Sequence, residues 1–217
     1  MKGRSQGSAP RETRRGSDGQ QRAGHVGVFG RVRGGANETP DNGLGDNGAR
    51  LHWWFGFGEP TEHGGVPGRP DGMNGDVMDE LMASGAVVAG RGTVEPAGWW
   101  HGDHHEGVPV FILSRTRTPD SVAQWPLITV LDDVTEAMAR AKDASGDRPV
   151  LVHGVGCAAA ALEAGVLDEI QLHLVPSLLG EGRRLFEGID PARTPEFEAT
   201  SVREGEGVTH LRYRVLR

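Results

Sequence analysis

The chain has 217 residues, of which 36% are hydrophobic and 24% charged, and its formal net charge is −7. This is enough apolar sequence for one core of ordinary domain size, and no apolar run reaches the roughly 18 residues that a membrane-spanning helix needs. No apolar segment of a secretory signal follows the first basic residues, so we expect a cytoplasmic protein without a membrane partner. The single cysteine, Cys157, excludes an intramolecular disulfide framework.

The beginning of the chain differs in composition from the rest. Residues 1–35 contain nine glycines, eight basic residues and two acidic residues, whereas the other residues hold 15 basic and 28 acidic ones. We therefore divide the chain into an atypical segment, 1–34, which we expect to be disordered, and one folded domain, 35–217. A basic arm for nucleic acid is the alternative for the first segment, but the acidic domain would repel phosphate backbones. We expect no nucleic-acid partner.

Residues 35–69 are rich in Gly, Asn, Asp and Pro, which predicts a long active-site loop. An aromatic segment within it, residues 51–55, needs apolar cover. A helix is predicted from Asn74 to Ser84 because its apolar residues recur on one stripe.

A strand with a functional turn is predicted next. Residues 86–89 form an apolar run, Gly90 permits close backbone approach, Arg91 offers a fork of donors, and Thr93 can cap a helix or bind a phosphate oxygen. A nucleotide diphosphate would satisfy all three residues. The alternative is a surface ion pair between Arg91 and Glu95.

Three histidines and two carboxylates lie within residues 101–106, which raises a zinc or nickel site as a hypothesis. The segment contains glycine and lacks a helical i, i+4 pair that would fix the ligand geometry. We therefore predict no metal there and interpret the segment as a surface loop or a pocket rim.

A second apolar strand, residues 110–113, ends in Ser114 and Arg115. Ligands collect at the carboxyl ends of such strands, and a guanidinium there can pair with a phosphate. The alternative is that Arg115 and Arg117 form a solvated basic turn. An amphipathic helix is predicted over residues 133–144, capped by Asp132 or Asp133.

The third strand and its turn are the most informative part of the chain. Residues 150–152 are a buried apolar run, Gly154-Val155-Gly156 allows a sharp turn, and an alanine-rich helix is predicted from Cys157 to Ala164. The amide groups at the start of such a helix favour an anionic phosphate. This glycine spacing alone is more typical of a plain structural βαβ unit.

Strand signals also fill the end of the chain. Residues 170–176 predict a strand that returns parallel after a crossover, and residues 197–203 and 208–215 predict a hairpin. The order of elements predicts an α/β protein whose mostly parallel sheet ends in an antiparallel hairpin.

Several motifs resemble the dihydrofolate reductase-like superfamily, specifically the reductase domain of bacterial riboflavin biosynthesis. They are Gly90-Arg91-x-Thr93 after a strand, the glycine turn with its helix, Leu167-Asp168-Glu169, and the segment Pro176 to Gly182, PSLLGEG. The resemblance covers about residues 35–217. It implies a three-layer α/β/α fold and a late hairpin that supports a homodimer.

The resemblance also implies an NADPH-dependent oxidoreductase that transfers a hydride to a small heterocyclic substrate, such as 5-amino-6-(5-phosphoribosylamino)uracil. Ser114 and Arg115 then favour NADPH over NADH, because an arginine can pair with the 2′-phosphate. The predicted cofactor set is Gly90, Arg91, Thr93, Ser114, Arg115, Gly154, Val155, Gly156, Cys157 and Ala158. Gly182 and Arg183 are weaker candidates for binding the substrate, and no proton donor can be named.

The chain departs from the family pattern at its beginning. The family's first strand and its Ser-Leu-Asp-Gly motif are not recognisable before Gly35, and we hypothesise a shifted reading frame there. The sequence also lacks the zinc-deaminase signature, H-x-E with P-C-x-x-C. Two alternatives remain: a nucleotide-binding relative that has lost turnover, and a small metal-binding protein that uses the loop 101–106.

Overall fold

The structure is a computed structural model. It describes residues 35–37, 39, 42–56, 69–182, 185, 188–190, 192 and 194–217, together with the backbone of residues 24–29. Within these residues, no helix has the length and apolar character needed to cross a membrane.

The strands form one mixed sheet. They are β1 (Gly24–Phe29), β2 (Ala86–Gly90), β3 (Val110–Leu113), β4 (Ile128–Leu131), β5 (Val150–His153), β6 (Glu169–Leu174), β7 (Glu196–Gly205) and β8 (Val208–Leu216). Their order across the sheet is β4-β3-β2-β5-β1-β6-β8-β7. The strands from β4 to β6 pair in parallel, and β8 is antiparallel to both β6 and β7. This confirms the mostly parallel sheet and the C-terminal hairpin.

Helices cover both faces of the sheet. They are α1 (Gly72–Met82), α2 (Arg91–Val94), α3 (Val134–Ser145) and α4 (Val155–Glu163). One core cluster joins the buried residues of α3 and α4 to β2 and β5, and a second joins α1 and the aromatic segment 51–55 to the opposite face. Trp54 of that segment is 1% exposed, so the predicted apolar cover is present. The three-layer α/β/α class is confirmed.

Local chemistry explains the elements that the sequence predicts well. Val88, Ile112 and Val152 of the three apolar runs are completely buried, as parallel strands covered on both faces require. The carboxylate of Asp133 accepts a hydrogen bond from the backbone N–H of Glu136 at 2.8 Å, which caps α3 as predicted. β5 and β6 are parallel, as the crossover predicts, but β1 lies between them.

The position of β1 corrects a prediction. We expected no strand before Gly35, yet Gly24–Phe29 pairs in parallel with β5 on one side and β6 on the other. The segment GHVGVF contains two glycines and no long apolar run, so the pattern of a buried strand is weak. Backbone pairing on both sides forms the strand despite that pattern. The remainder of residues 1–34 lies outside the described residues, and the reading-frame hypothesis stays a prediction.

Candidate functional site

Three loops with predicted cofactor residues meet at one edge of the sheet. β3, β2 and β5 are neighbours in that order and run parallel, so their carboxyl ends lie side by side. The residues that follow these ends are Ser114 and Arg115 after β3, Arg91 and Thr93 after β2, and the turn at Gly154 after β5. Such an edge is where ligands bind in open α/β sheets.

The turns after β2 and β5 are in direct contact. Gly154 has φ 104° and ψ 139°, a conformation that favours glycine, and a Cβ there would overlap the hydroxyl of Thr93. A Cβ at Gly90 would lie 3.8 Å from the Cβ of Cys157. The two motifs that the sequence separates by about 60 residues are therefore packed against each other at the sheet edge.

The first turn of α4 presents one open position. Gly154 is its N-cap, and the first intrahelical bond runs from the N–H of Ala158 to the carbonyl of Gly154 at 2.9 Å. Val155, Cys157 and Ala158 are buried, whereas Gly156 is exposed and a Cβ there would meet nothing within 4 Å. The N–H groups of a first helical turn have no intrahelical partner and favour an anion. Space for such an anion lies over Gly156.

Cys157 has a packing role in this helix. Its thiol lies 3.9 Å from the carbonyl of Val88, and burial raises the pKa of the thiol to about 12. The thiol therefore stays protonated, so the lowered pKa that a helix start can produce does not occur here.

Arg91 connects the turn after β2 to the loop after β3. Its guanidinium pairs with both carboxylate oxygens of Glu95, at 2.9 and 2.8 Å. The same group donates to the hydroxyl of Thr116 at 2.6 Å and to the carbonyl of Arg117 at 2.9 Å. The hydrogen bonds from Arg91 lower the pKa of Glu95. The ion pair that the sequence offered as an alternative is thus present, and Arg91 also anchors the neighbouring loop.

The loop after β3 has two hydrogen-bonded hydroxyls, those of Ser114 and Thr116, and two exposed cations. Ser114 donates its hydroxyl to the carbonyl of Thr116 at 2.8 Å, which closes a tight turn. Arg117 pairs with Asp120 at 2.7 Å. Arg115 is exposed, and in the described part of the chain no carboxylate pairs with it. Arg115 is therefore the cation of this loop that can meet an anionic ligand.

The predicted substrate residues lie beyond β6. Gly182 is exposed, and Arg183 lies outside the described residues. The preceding loop borders a cavity of about 690 Å³ between the end of β6 and the turn of the β7–β8 hairpin. Its lining is mostly apolar and includes Leu51, Leu174, Leu179 and Val208. The cavity lies at the same edge of the sheet as the cofactor loops, on the other side of β1.

Contacts of His104 and His105 hold the loop of residues 101–106 in place. The Nδ1 atoms of His104 and His105 are 2.6 Å apart, and Nε2 of His105 lies 3.3 Å from the carbonyl oxygen of Ser84. Within the residues that the structure describes, no three His, Cys, Asp or Glu side chains are grouped so that they could hold a metal ion. The geometry therefore gives the metal hypothesis no support.

The structure places one histidine at the site that the sequence reasoning missed. His153 ends β5 directly before Gly154, and the ring of Trp100 stacks on it with centroids 5.6 Å apart and planes 22° apart. His104 meets both rings edge to face, at 4.5 Å from Trp100 and 5.7 Å from His153. A titratable residue at the end of a buried apolar strand, next to a glycine turn, was the available signal.

A second histidine pair is buried beneath the hairpin. His173 and His210 face each other across β6 and β8 with their Nδ1 atoms 2.8 Å apart, and Nε2 of His210 donates to the amide oxygen of Asn74 at 3.0 Å. Trp54 lies against both imidazole rings. Burial lowers the pKa of His173 to about 3 and that of His210 to about 4, so both rings are neutral near pH 7.

Comparison with known families agrees with this geometry. A model of the RibD C-terminal domain matches residues 56–211, which is most of the chain. The chain belongs to the RibD C-terminal domain family. The resemblance to riboflavin-biosynthesis reductases is thereby confirmed, and membership supports a reductase. No curated protein matches the sequence.

Solved structures share the fold of this RibD C-terminal domain protein at low sequence identity. A putative riboflavin biosynthesis protein from Shewanella sp. PV-4 is 19% identical with a TM-score of 0.63, and the alignment covers 90% of this chain and 99% of that one. A pyrimidine reductase-like protein from Corynebacterium diphtheriae is 12% identical with a TM-score of 0.58, covering 90% and 92%.

A third structure is a longer protein. The diaminohydroxyphosphoribosylaminopyrimidine deaminase/5-amino-6-(5-phosphoribosylamino)uracil reductase from Thermotoga maritima is 14% identical with a TM-score of 0.55. The alignment covers 90% of this chain but 57% of the Thermotoga protein.

Proposed function

We propose that the protein is an NADPH-dependent reductase that transfers a hydride to a small heterocyclic substrate. One observation carries the proposal: Arg91 and Thr93 connect the turns after β2, β3 and β5 at the carboxyl edge of the sheet. Arg91 reaches the loop after β3, and Thr93 fills the space beside Gly154 after β5. This arrangement suits a ligand with several phosphates better than it suits a plain structural crossover.

The residues at this edge fit a dinucleotide. A Cβ at Gly156 would enter open space, so a phosphate has room over the first turn of α4. Arg115 supplies an exposed cation two strands away, after β3. Adjacent strands are about 4.8 Å apart, so these two anion positions are separated by roughly 10 Å. A pyrophosphate and a ribose 2′-phosphate are anionic groups that such a pair can hold.

Each predicted cofactor residue has a proposed task. The amides at Gly156 and the hydroxyl of Thr93 would hold the pyrophosphate, and Arg115 the 2′-phosphate. Ser114 shapes the loop through its turn, and Arg91 fixes that loop while keeping its pair with Glu95. Gly90 and Gly154 allow close backbone approach, whereas Val155, Cys157 and Ala158 act through the backbone and packing of α4. The cofactor, when bound, supplies the hydride.

The substrate is proposed to lie beyond the cofactor along the same edge. With the adenosine end of the cofactor at the loop after β3, its nicotinamide end points toward β1 and the cavity near β6. The Thermotoga protein is named as a reductase of 5-amino-6-(5-phosphoribosylamino)uracil, and we propose a heterocycle of that kind. Gly182 and Arg183 remain predicted contacts of this substrate.

A homodimer is also proposed. Phe197 and Val202 of β7 and Leu174 of β6 share one face of the sheet according to the strand register, and each is at least 40% exposed. An exposed apolar face of this kind is typical of a protein interface. The predicted cytoplasmic location stays a prediction.

Cofactor titration tests the nucleotide assignment. Quenching of the five tryptophans would be followed on addition of NADPH and, separately, of NADH. We expect saturable binding of NADPH that is tighter than that of NADH. Arg115→Gln should weaken NADPH binding about tenfold, the loss of one charge-assisted contact, and leave NADH binding unchanged.

Arg117→Gln is the matched control, since Arg117 belongs to the same loop but pairs with Asp120. An equal loss of both cofactors in Arg115→Gln would contradict the 2′-phosphate role. If the wild-type protein binds neither cofactor, the reductase proposal is wrong. If the protein binds NADPH tightly but no heterocyclic carbonyl or imine that is added leads to oxidation of the NADPH, the alternative of a relative that has lost turnover is favoured.

A further inference from the structure

His153 lies where the reacting end of the proposed cofactor would meet the substrate. It is the last residue of β5, which lies between β2 and β1 in the sheet. Val150 and Val152 belong to the core on the α4 face, and Leu151 belongs to the core on the α1 face. Side chains alternate along a strand, so His153 lies on the α1 face at the carboxyl edge.

Trp100 lies in a left-handed turn of the backbone, and its indole stacks on His153. Trp99, Trp100 and His101 have φ values of 57°, 50° and 50°, a left-handed run that side-chain-bearing residues rarely adopt. Such a conformation is unfavourable and persists where its surroundings fix it. Trp99 is buried in the core, which anchors the turn, and the adjacent indole of Trp100 stacks on the imidazole of His153.

His104 completes the surroundings of His153. Nδ1 of His104 lies 2.6 Å from Nδ1 of His105, whose Nε2 lies 3.3 Å from both the carbonyl oxygen and the hydroxyl of Ser84. His104 is a titratable group that faces His153, and both His105 and Asp103 act on the pKa of His104. Burial lowers the pKa of His104 to about 4, so this ring is neutral between pH 5.5 and 8.5.

We propose that His153 is the proton donor of the reduction, with Trp100 and His104 as positioning residues; this inference rests on the proposed function. A carbonyl or imine that accepts a hydride at carbon needs a proton at oxygen or nitrogen. An N–H bond of the His153 imidazolium breaks, an O–H or N–H bond forms on the reduced substrate, and the neutral imidazole regains a proton from water. The reduced nicotinamide is the electron source and leaves oxidised.

Binding of the two cofactor forms tests this placement without a substrate. Oxidised nicotinamide carries a positive charge and reduced nicotinamide does not, so a nearby imidazolium weakens NADP⁺ binding selectively. We expect the ratio of the NADP⁺ Kd to the NADPH Kd to rise several-fold from pH 8.5 to 5.5 in the wild-type protein. In His153→Gln this ratio should be independent of pH, and in Trp100→Phe the midpoint of the rise should shift.

His101→Gln is the matched control, because His101 is an exposed histidine of the adjacent turn, and it should keep the wild-type profile. His153→Asn replaces His153→Gln if thermal unfolding shows that the latter does not fold. A ratio that does not change with pH in the wild-type protein, or a rise that persists without His153, overturns the inference while the reductase proposal stands. Absence of binding to both cofactors overturns the proposed function itself.

Discussion

Gly154 and Gly156 flank Val155 in the turn after β5, but their surroundings differ. A Cβ at Gly154 would overlap the Thr93 hydroxyl and would require a positive φ, whereas a Cβ at Gly156 would meet only open space. We expect Gly154→Ala to lower both the thermal midpoint and the affinity for NADPH. Gly156→Ala should raise the midpoint slightly, because alanine favours a helix by about 1 kcal/mol, yet weaken NADPH binding about tenfold.

The two variants control each other. Thermal unfolding without ligand measures the packing effect, and tryptophan quenching by NADPH measures the ligand effect. Unchanged NADPH binding in a stably folded Gly156→Ala would show that no phosphate lies over the start of α4.

Residue identity allowed part of this site to be predicted. Gly90, Arg91, Thr93 and Gly154 come together as the motifs indicate, because the ends of parallel strands share an edge. The partners of Arg91 in the loop after β3 could not be predicted, since they depend on how two loops about 25 residues apart pack together. The position of His153 between a buried strand and a glycine turn was a signal in the sequence, but its stacking on Trp100 could not be predicted, because it depends on a left-handed turn that no residue pattern indicates.

The β7–β8 hairpin has an exposed apolar face, which we expect a second copy of the chain to cover. Val202 is 65% exposed and lies on the same face as Phe197 and Leu174. If this face joins two copies, Val202→Lys should produce monomers, because it would bury an unpaired charge in the interface. Sedimentation velocity at several protein concentrations measures this.

Val130→Lys is the control for the hairpin variant. Val130 is 37% exposed on β4, at the opposite edge of the sheet, so its replacement should leave the assembly unchanged. A wild-type protein that sediments as a monomer at all concentrations would contradict the dimer.

Elements with strong local patterns were predictable, whereas β1 was not. β2, β3 and β5 are short apolar runs buried on both faces, and α3 has an amphipathic pattern with an acidic cap. Gly24–Phe29 lacks such a pattern and acquires its place from backbone pairing with two strands that follow it by more than 100 residues. Pairing at that separation is a property of the assembled sheet, which a local pattern cannot predict.

At the scale of the whole molecule, three histidines link stability to pH. The pKa of His173 is lowered to about 3, and those of His104 and His210 to about 4, mainly by burial. An unfolded histidine has a pKa of about 6.5, so the unfolded state binds more protons than the folded state below that pH. The free energy of unfolding is therefore greatest above pH 6.5 and falls as the pH decreases toward 4.

Urea unfolding between pH 7.5 and 5 measures this dependence. Each histidine that titrates only in the unfolded state contributes a slope of about 1.4 kcal/mol per pH unit below pH 6. The hydrogen bond from Arg203 lowers the pKa of Glu80. The stability that this bond contributes is lost only as the pH falls below 4.5, the ordinary pKa of a glutamate, so it does not affect the slope between pH 7.5 and 5. His104→Gln should reduce the slope by one histidine's share, and His101→Gln, at an exposed position, should leave it unchanged. A free energy of unfolding that stays constant from pH 7.5 to 5 would show that the three imidazoles reach water and titrate normally in the folded protein.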